Sequence, residues 1–273
     1  MKSFLRSKAN YIRDKLIEVA VRNGAGHIAP SLSCVDILTA LYYGAMRFDP
    51  LNPTWEERDR LVLSKGHGPY GLYAILADLG TIPQEQWQSY YTERSRLRGC
   101  IERDPSLGLE ASTGSLGHGL PMCVGLAFAA KIKGKSYHTF CITGDGEFQE
   151  GSMWEALSFA VKHELDNLTV IIDRNGLQAM DRTTAILERD EKDLPARLKA
   201  FGAEVIEVPG HDPNLLSKLF EYLRDRRDGK VAVVVAKTTK GYGLKCMEDV
   251  PKFHYRLPNP EELAQGKTYG AAR

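Results

Sequence analysis

The sequence predicts an α/β fold, a doubly wound parallel sheet with helices on both faces, from three observations. From about Tyr137 onward, apolar runs of strand length alternate with amphipathic segments of helix length, the pattern of a parallel sheet whose crossovers cover it on both sides. The runs are predominantly apolar, as strands buried on two faces read. And 273 residues, 43% hydrophobic and 9% aromatic, supply one large core.

The elements follow in order. Phe4, Leu5, Ile12, Leu16, Val19 and Ala20 fall at helical spacing, and the segments 35–46 and 70–79 continue a helical first third broken by loops rich in Gly and Pro. Strands are expected at 137–143, 168–173, 203–208 and 231–237, with helices at 152–163, 190–201 and 213–226 between them. No repeat or low-complexity linker interrupts the pattern, so residues 1–273 read as a single domain. The chain turns irregular from about residue 241, and 259–273 is expected to be a surface tail.

Composition excludes several classes. A net charge of +1, from 36 basic and 35 acidic residues, offers no field to attract nucleic acid or an anionic membrane. Cys34, Cys100, Cys123, Cys141 and Cys246 are odd in number, widely spaced and free of any CxxC pair, against a disulfide framework or a zinc site and in keeping with a reducing cytoplasm. The start, MKSFLRSKANYIRDKL, has no apolar core of a signal peptide, and the aliphatic run 231–236 is too short to span a bilayer. A soluble, unprocessed chain is expected.

The stretch CITGDGEFQEGSMWEALSFAVKHELDNLTVIIDRNGLQ, residues 141–178, reads as strand, loop, helix, strand and loop. Gly144 and Gly146 flank Asp145 at the carboxyl end of a strand, where open α/β sheets present their ligand crevice. Glycine there lets the backbone approach a phosphate, and a helix opening near Ser152 adds amides that favour anionic oxygens. Asp145 offers a carboxylate oxygen and Asn175, after the next strand, an amide oxygen, both suited to magnesium, whose shell phosphate and water complete. GDG and NG segments also serve simply as turns, and His67 in SKGHG reads equally as a loop histidine bonded to backbone carbonyls.

GDG followed by EG, a helix, a strand and an Asn resembles the binding motif of thiamine diphosphate enzymes, and among them the transketolases. By that resemblance Asp145, Asn175 and the Leu177 carbonyl hold the metal, Gly146 and Gln178 border the cofactor, and Glu150 couples two cofactor sites across a dimer, though it reads equally as a helix N-terminal charge. GHIAPSLSCVDIL from Gly26 is similar to the family's GHxxxSLS, which places His27 in the substrate channel. RDRLVLSKGH from Arg58 places His67 at the diphosphate, and EASTGSLGHGL from Glu110 places Gly114, Ser115 and Leu116 around the cofactor. KTTKGYG and the later His254 keep the family's order of a lysine, here Lys240, and a histidine at the mouth. His118 stands where many relatives carry Gln, and His138 and His163 read as structural.

The resemblance implies thiamine diphosphate with Mg2+, for which Ca2+ or Mn2+ can substitute, and transfer of a two-carbon ketol unit from a ketose phosphate to an aldose, with His27, His67 and His254 steering protons. The family's trigger glutamate lies in a second, pyrimidine-side domain, so a separate C-terminal subunit in an α2β2 assembly is expected to bring it. Cys100 stands where transketolases commonly have a sugar-contacting histidine, Tyr255 where short relatives tend to have a second one, and Pro30 where many have a small polar residue. These departures point to a specialised sugar phosphate. The alternatives are an α subunit of the 2-oxo acid dehydrogenase or deoxyxylulose phosphate synthase type, or a non-catalytic scaffold subunit.

Overall fold

The computed structural model describes residues 2–179 and 181–269. Among them, five strands form one wholly parallel sheet in the order β1-β2-β3-β5-β4. These are β1 (Arg60–Leu63), β2 (Thr139–Gly144), β3 (Leu168–Arg174), β4 (Glu204–Pro209) and β5 (Ala232–Lys237). Before β1 come α1 (Lys2–Asn23), α2 (Ile28–Leu32) and α3 (Val35–Ala40), and between β1 and β2 lie α4 (Tyr70–Asp78), α5 (Gln84–Gln88) and α6 (Gly119–Lys133). Then α7 (Gly151–Lys162) links β2 to β3, α8 (Thr183–Ile186) and α9 (Asp193–Ala200) lead to β4, α10 (Pro213–Asp225) joins β4 to β5, and α11 (Pro260–Leu263) follows.

The strand order explains the two covered faces. The chain steps from β1 through β3 in one direction, jumps to the edge at β4, and returns to β5. Right-handed crossovers keep α6, α7 and α9 on one face, and the return step puts α10 on the other with α1, α3 and α4. Side chains sort by the two-residue period of a strand. Val170, Ile172, Val233 and Val235 pack under Leu120, Leu157 and Leu198, while Phe140, Ile142, Ile171 and Val234 meet Ile12, Leu16, Ile37, Ile75 and Phe220.

Three expectations need correction. The sequence reading has no counterpart of β1, because four residues between charged flanks carry too little pattern. The helix expected over 35–46 ends as α3 at Ala40 and continues as a wider turn, Leu41–Ala45. α10 crosses there so closely that a Cβ on Gly44 would lie 2.1 Å from Ser217 Oγ. The expected surface tail is fastened as far as Tyr269. Asn259 and Glu262 close a capping box on α11, Lys267 bridges to Leu244, and the Tyr269 hydroxyl donates to Asp14. Residues 270–273 lie outside the described residues. The stretch Ile28–Ala45 is long and apolar enough to cross a membrane by length and composition, yet 89% of it is buried inside the fold, where it forms α2, α3 and the turn.

Candidate active site

Parallel strands deliver their carboxyl ends to one edge, and that edge collects the motifs. His67 follows β1, Asp145 follows β2, Asn175 and Leu177 follow β3, and Lys240 follows β5. His27 enters from the turn before α2, and His254 from the loop beyond Lys240. All of them line one cleft of about 410 Å³, together with Gly114, Leu116, Gly146, Glu147, Glu150 and Gln178. A larger crevice of about 1000 Å³ opens beside it at the ends of β3, β5 and β4. Its walls mix Lys192, Lys199 and Lys237 with Asp190, Glu191 and Glu207, and of the candidate site residues it touches only Asn175, so the chemistry lies in the smaller cleft.

At one end of the cleft Asp145 is almost fully buried. Its Oδ1 accepts the Gly146 N–H at 2.8 Å, and its Oδ2 accepts the Gly176 N–H at 2.6 Å and Arg174 at 3.3 Å. Burial pushes its carboxyl up to about 6, against the pull of Arg174 and the two amides. Asn175 donates through Nδ2 to Asp173 and accepts the Leu177 N–H on Oδ1 at 3.1 Å, which leaves that oxygen a second lone pair. Among the described residues no three His, Cys, Asp or Glu are grouped to hold a metal by themselves. One carboxylate, one amide oxygen and one carbonyl instead suit a hard divalent ion that phosphate oxygens and water complete.

At the other end three histidine rings form a triangle, with centroids 5.0 Å apart for His27 and His67, 5.3 Å for His27 and His254, and 5.2 Å for His67 and His254. Burial and then Lys65 push His67 down to about 2; burial and then Lys240 push His254 down to about 3 and lower His27. All three are neutral imidazoles, able to donate at one nitrogen and accept at the other. Lys240 Nζ donates to His254 Nδ1 at 2.9 Å and to the carbonyls of Leu177 and Gln178 at 3.4 and 3.3 Å. Burial and then Lys65 bring it down to about 8. Lys240, whose ammonium reaches an imidazole and two carbonyls rather than a carboxylate, makes beside three uncharged imidazoles a site that gains from an anion. His27 Nδ1 is buried without a partner, a polar atom that a ligand would satisfy. The residues therefore fit a diphosphate with a divalent ion.

Several expected site residues stand elsewhere. Cys100 is exposed and absent from the cleft wall. Its thiol packs behind Gly114, where a Cβ would come within 2.8 Å of the sulfur, so it borders the site only through that glycine. Ser115 is exposed and also outside the lining. The chain after Asp145 makes a 3₁₀ turn, Gly146–Gln149, before α7, which starts at Gly151, so the amides at Asp145 are those of Gly146 and Gly176 rather than of α7. Glu150 lines the cleft but is exposed. His118 is exposed, His138 is fully buried with Nε2 2.8 Å from Thr169 Oγ1, and His163 packs on Phe128 and Phe159. Tyr255, half exposed, sets its ring 4.7 Å from His27 at the mouth.

The sequence reading passed over the groups beneath the site. Lys65 forms a buried ion pair with Asp173, which also accepts from Ser33 Oγ and Thr238 Oγ1. Glu147 accepts from Ser64 Oγ and from the Gly117 and Gly144 amides, tying the GDG turn to the TGSLG loop. Arg174 joins Asp145 to Glu188. A signal was present: Asp173 and Arg174 end a strand buried at all seven positions, and a charge in such a strand requires a partner.

Comparison with known proteins gives this edge a family. The family described as "Transketolase, thiamine diphosphate binding domain" matches residues 5–270. An apulose-4-phosphate transketolase subunit from Actinobacillus succinogenes is 41% identical over 260 residues, 95% of this chain and 93% of that protein. A 6-deoxy-6-sulfo-D-fructose transketolase subunit, SqwG, from a Clostridium species is 37% identical, covering 89% of this chain and 88% of the relative. The transketolase of Campylobacter jejuni superposes with a TM-score of 0.84 at 33% identity, over 96% of this chain and 42% of that one. The match spans nearly the whole chain, and this chain belongs to the transketolase family.

Proposed function

We propose that this chain is the N-terminal, cofactor-holding subunit of a two-subunit transketolase, transferring a two-carbon ketol unit between an anionic ketose and an aldose. The observation that carries the reading is the convergence of His27, His67, His254 and Lys240 on the Asp145–Asn175–Leu177 oxygen set in one cleft. When bound, thiamine diphosphate supplies the nucleophilic carbon and electron sink that cleavage of a ketose needs. Asp145, Asn175 and the Leu177 carbonyl hold the metal, preferably magnesium. Lys240 and His67 meet the diphosphate, while the neutral imidazoles of His27 and His254 face the mouth and move protons at the sugar oxygens. Three such groups sharing one space favour a sugar-handling site over a 2-oxo acid decarboxylase or a scaffold.

A partner subunit carrying the pyrimidine-side glutamate completes the reading. Two relatives are named as subunits, and full-length transketolase is more than twice this chain's length. α6 is apolar all round, yet Pro121, Met122 and Leu126 are only half buried, with Leu116 and Phe159 exposed nearby. Such a helix calls for burial by another chain; an α2β2 assembly in a reducing cytoplasm belongs to the same proposal. The test is reconstitution. Ketol transfer should appear only when the chain and its partner are mixed with thiamine diphosphate and Mg2+, and transfer by this chain alone would overturn the division of labour.

Substrate choice is expected to depart from ordinary pentose phosphates, because Cys100 and Tyr255 stand where relatives place histidines. A site that lacks a hydrogen-bond donor discriminates against the sugar hydroxyl left unpaired. Cys100→His in the assembled enzyme is expected to raise turnover of xylulose 5-phosphate relative to a sulfonated ketose such as 6-deoxy-6-sulfo-D-fructose about tenfold, as steady-state competition between the two donors would measure. No change would remove Cys100 from specificity, as its place behind Gly114 allows.

A further inference from the structure

Four of the five strand ends carry residues that the site reading uses; the fifth, β4, ends at Pro209 and leads to His211. We propose that His211 is a positioning residue for Lys240, acting through the backbone of Thr239; the proposal rests on Lys240 being a diphosphate ligand.

The geometry is a relay from the core to the site. Arg13 and Asp36 are fully buried and paired. Asp36 Oδ2 receives His211 Nδ1 at 2.9 Å, and His211 Nε2 accepts the Thr239 N–H at 2.8 Å. A backbone N–H only donates, so Nε2 carries no proton and the ring N–H points at Asp36. The ring is further fixed by stacking on Tyr242 with centroids 3.6 Å apart and 16° between planes, and Arg13 lies over the other side of the assembly, 4.8 Å from the Tyr242 ring.

The segment that His211 grips reaches the cleft within one residue. Its neighbours are pinned as well: the Thr238 N–H donates to the Arg174 carbonyl at 3.0 Å and the Gly241 N–H to the Ala29 carbonyl at 3.1 Å. The Thr239 amide is the anchor between them, and it is the one held by a side chain. Close approach at β4 is required for this. The Gly210 N–H donates to the Lys237 carbonyl at 2.7 Å, and a Cβ on Gly210 would fall 2.3 Å from Thr238 Cγ2. The Lys240 Nζ stands at hydrogen-bond distance of His254 and two carbonyls, and a loop shift of about an ångström would lose that geometry.

The test is calorimetric titration of the full chain with thiamine diphosphate and Mg2+, with melting temperature recorded for each variant. His211→Phe keeps a ring to stack on Tyr242 but removes both hydrogen bonds. His211→Gln keeps an acceptor near Thr239. Lys240→Met removes the cation. His211→Phe is expected to weaken binding about tenfold, the loss typical of one buried hydrogen bond, and His211→Gln to recover most of it. In the Lys240→Met background His211→Phe should add less than twofold, because the two act in series. Wild-type affinity in His211→Phe, or losses that multiply in the double variant, would overturn the relay. A wild-type chain that binds no cofactor even with its partner subunit present, or a Lys240→Met variant that binds normally, would instead overturn the reading of Lys240 on which the relay stands. Should His211→Phe not fold, His211→Leu, which likewise offers the Thr239 N–H no acceptor, with and without Lys240→Met closes the same cycle.

Discussion

Replacing Asp145 with alanine is expected to weaken thiamine diphosphate binding at least about a hundredfold in the presence of Mg2+, about 2.7 kcal/mol, and to leave little dependence on the metal. Asp145 is the one carboxylate among the proposed metal ligands, and the amide of Asn175 and the carbonyl of Leu177 bring no formal charge to replace it. Calorimetry across a magnesium series measures the effect, and undiminished metal dependence would show that the ion sits elsewhere. The same carboxyl predicts a pH effect of definite sign. Burial raises it to about 6 in the metal-free chain, so below that pH it is mostly protonated and a metal must displace the proton. Metal affinity is expected to fall about tenfold per pH unit below about 6 and to level off above it. A flat profile between pH 5 and 7 would mean that burial does not hold the Asp145 carboxyl near 6.

Legibility followed sequence distance. Asp145 and Asn175 could be placed from local pattern because one strand–loop–helix–strand unit contains them, and the parallel register of β2 with β3 sets Gly144 beside Asp173. Strands β2, β3 and β5 were readable within two residues because buried parallel strands are largely apolar, and the half-exposed edge strand β4 from its Val205, Ile206 and Val208. β1 was not, since RLVL is short and its neighbours are charged. Lys240 and His254 depended on resemblance to a family, for nothing in KTTKGYG alone points to a phosphate. The supporting groups were invisible for a different reason. Lys65 meets Asp173 across 108 residues and Ser33 meets it across 140, and His211 reaches Asp36 across 175. No periodicity encodes such pairings; only the topology brings them together. Cys100 was placed by resemblance alone, and the chain sets its thiol beside Gly114 of the TGSLG loop.

Asp173→Asn is expected to be the most destabilising single change beneath the site, by about 3–5 kcal/mol, the cost of leaving a buried charge without its counterion. For a chain of this size that corresponds to a melting point lower by roughly 6–20 °C. Burial alone would raise the Asp173 carboxyl, and the Lys65 ammonium with its hydrogen bonds overcomes this and holds it below the usual range. Burial alone would lower Lys65, and Asp173 outweighs it in turn and raises it. Each ion is thus charged because of the other. Asparagine keeps an acceptor for Ser33 and Thr238 but strands the Lys65 cation, whereas Lys65→Met added to it removes that cation. The double variant should therefore recover more than half of the lost stability, as thermal melts would show, and losses that simply add would mean the pair is not coupled. The pair also joins stability to the site. Asp173 anchors Asn175 through its Nδ2 at 3.3 Å and Thr238 two residues before Lys240. The double variant, refolded but without the carboxylate, should remain weaker in cofactor affinity than the native chain. Recovery of stability without recovery of affinity is the expected mark of a buried ion pair that serves to aim ligands as well as to hold the fold.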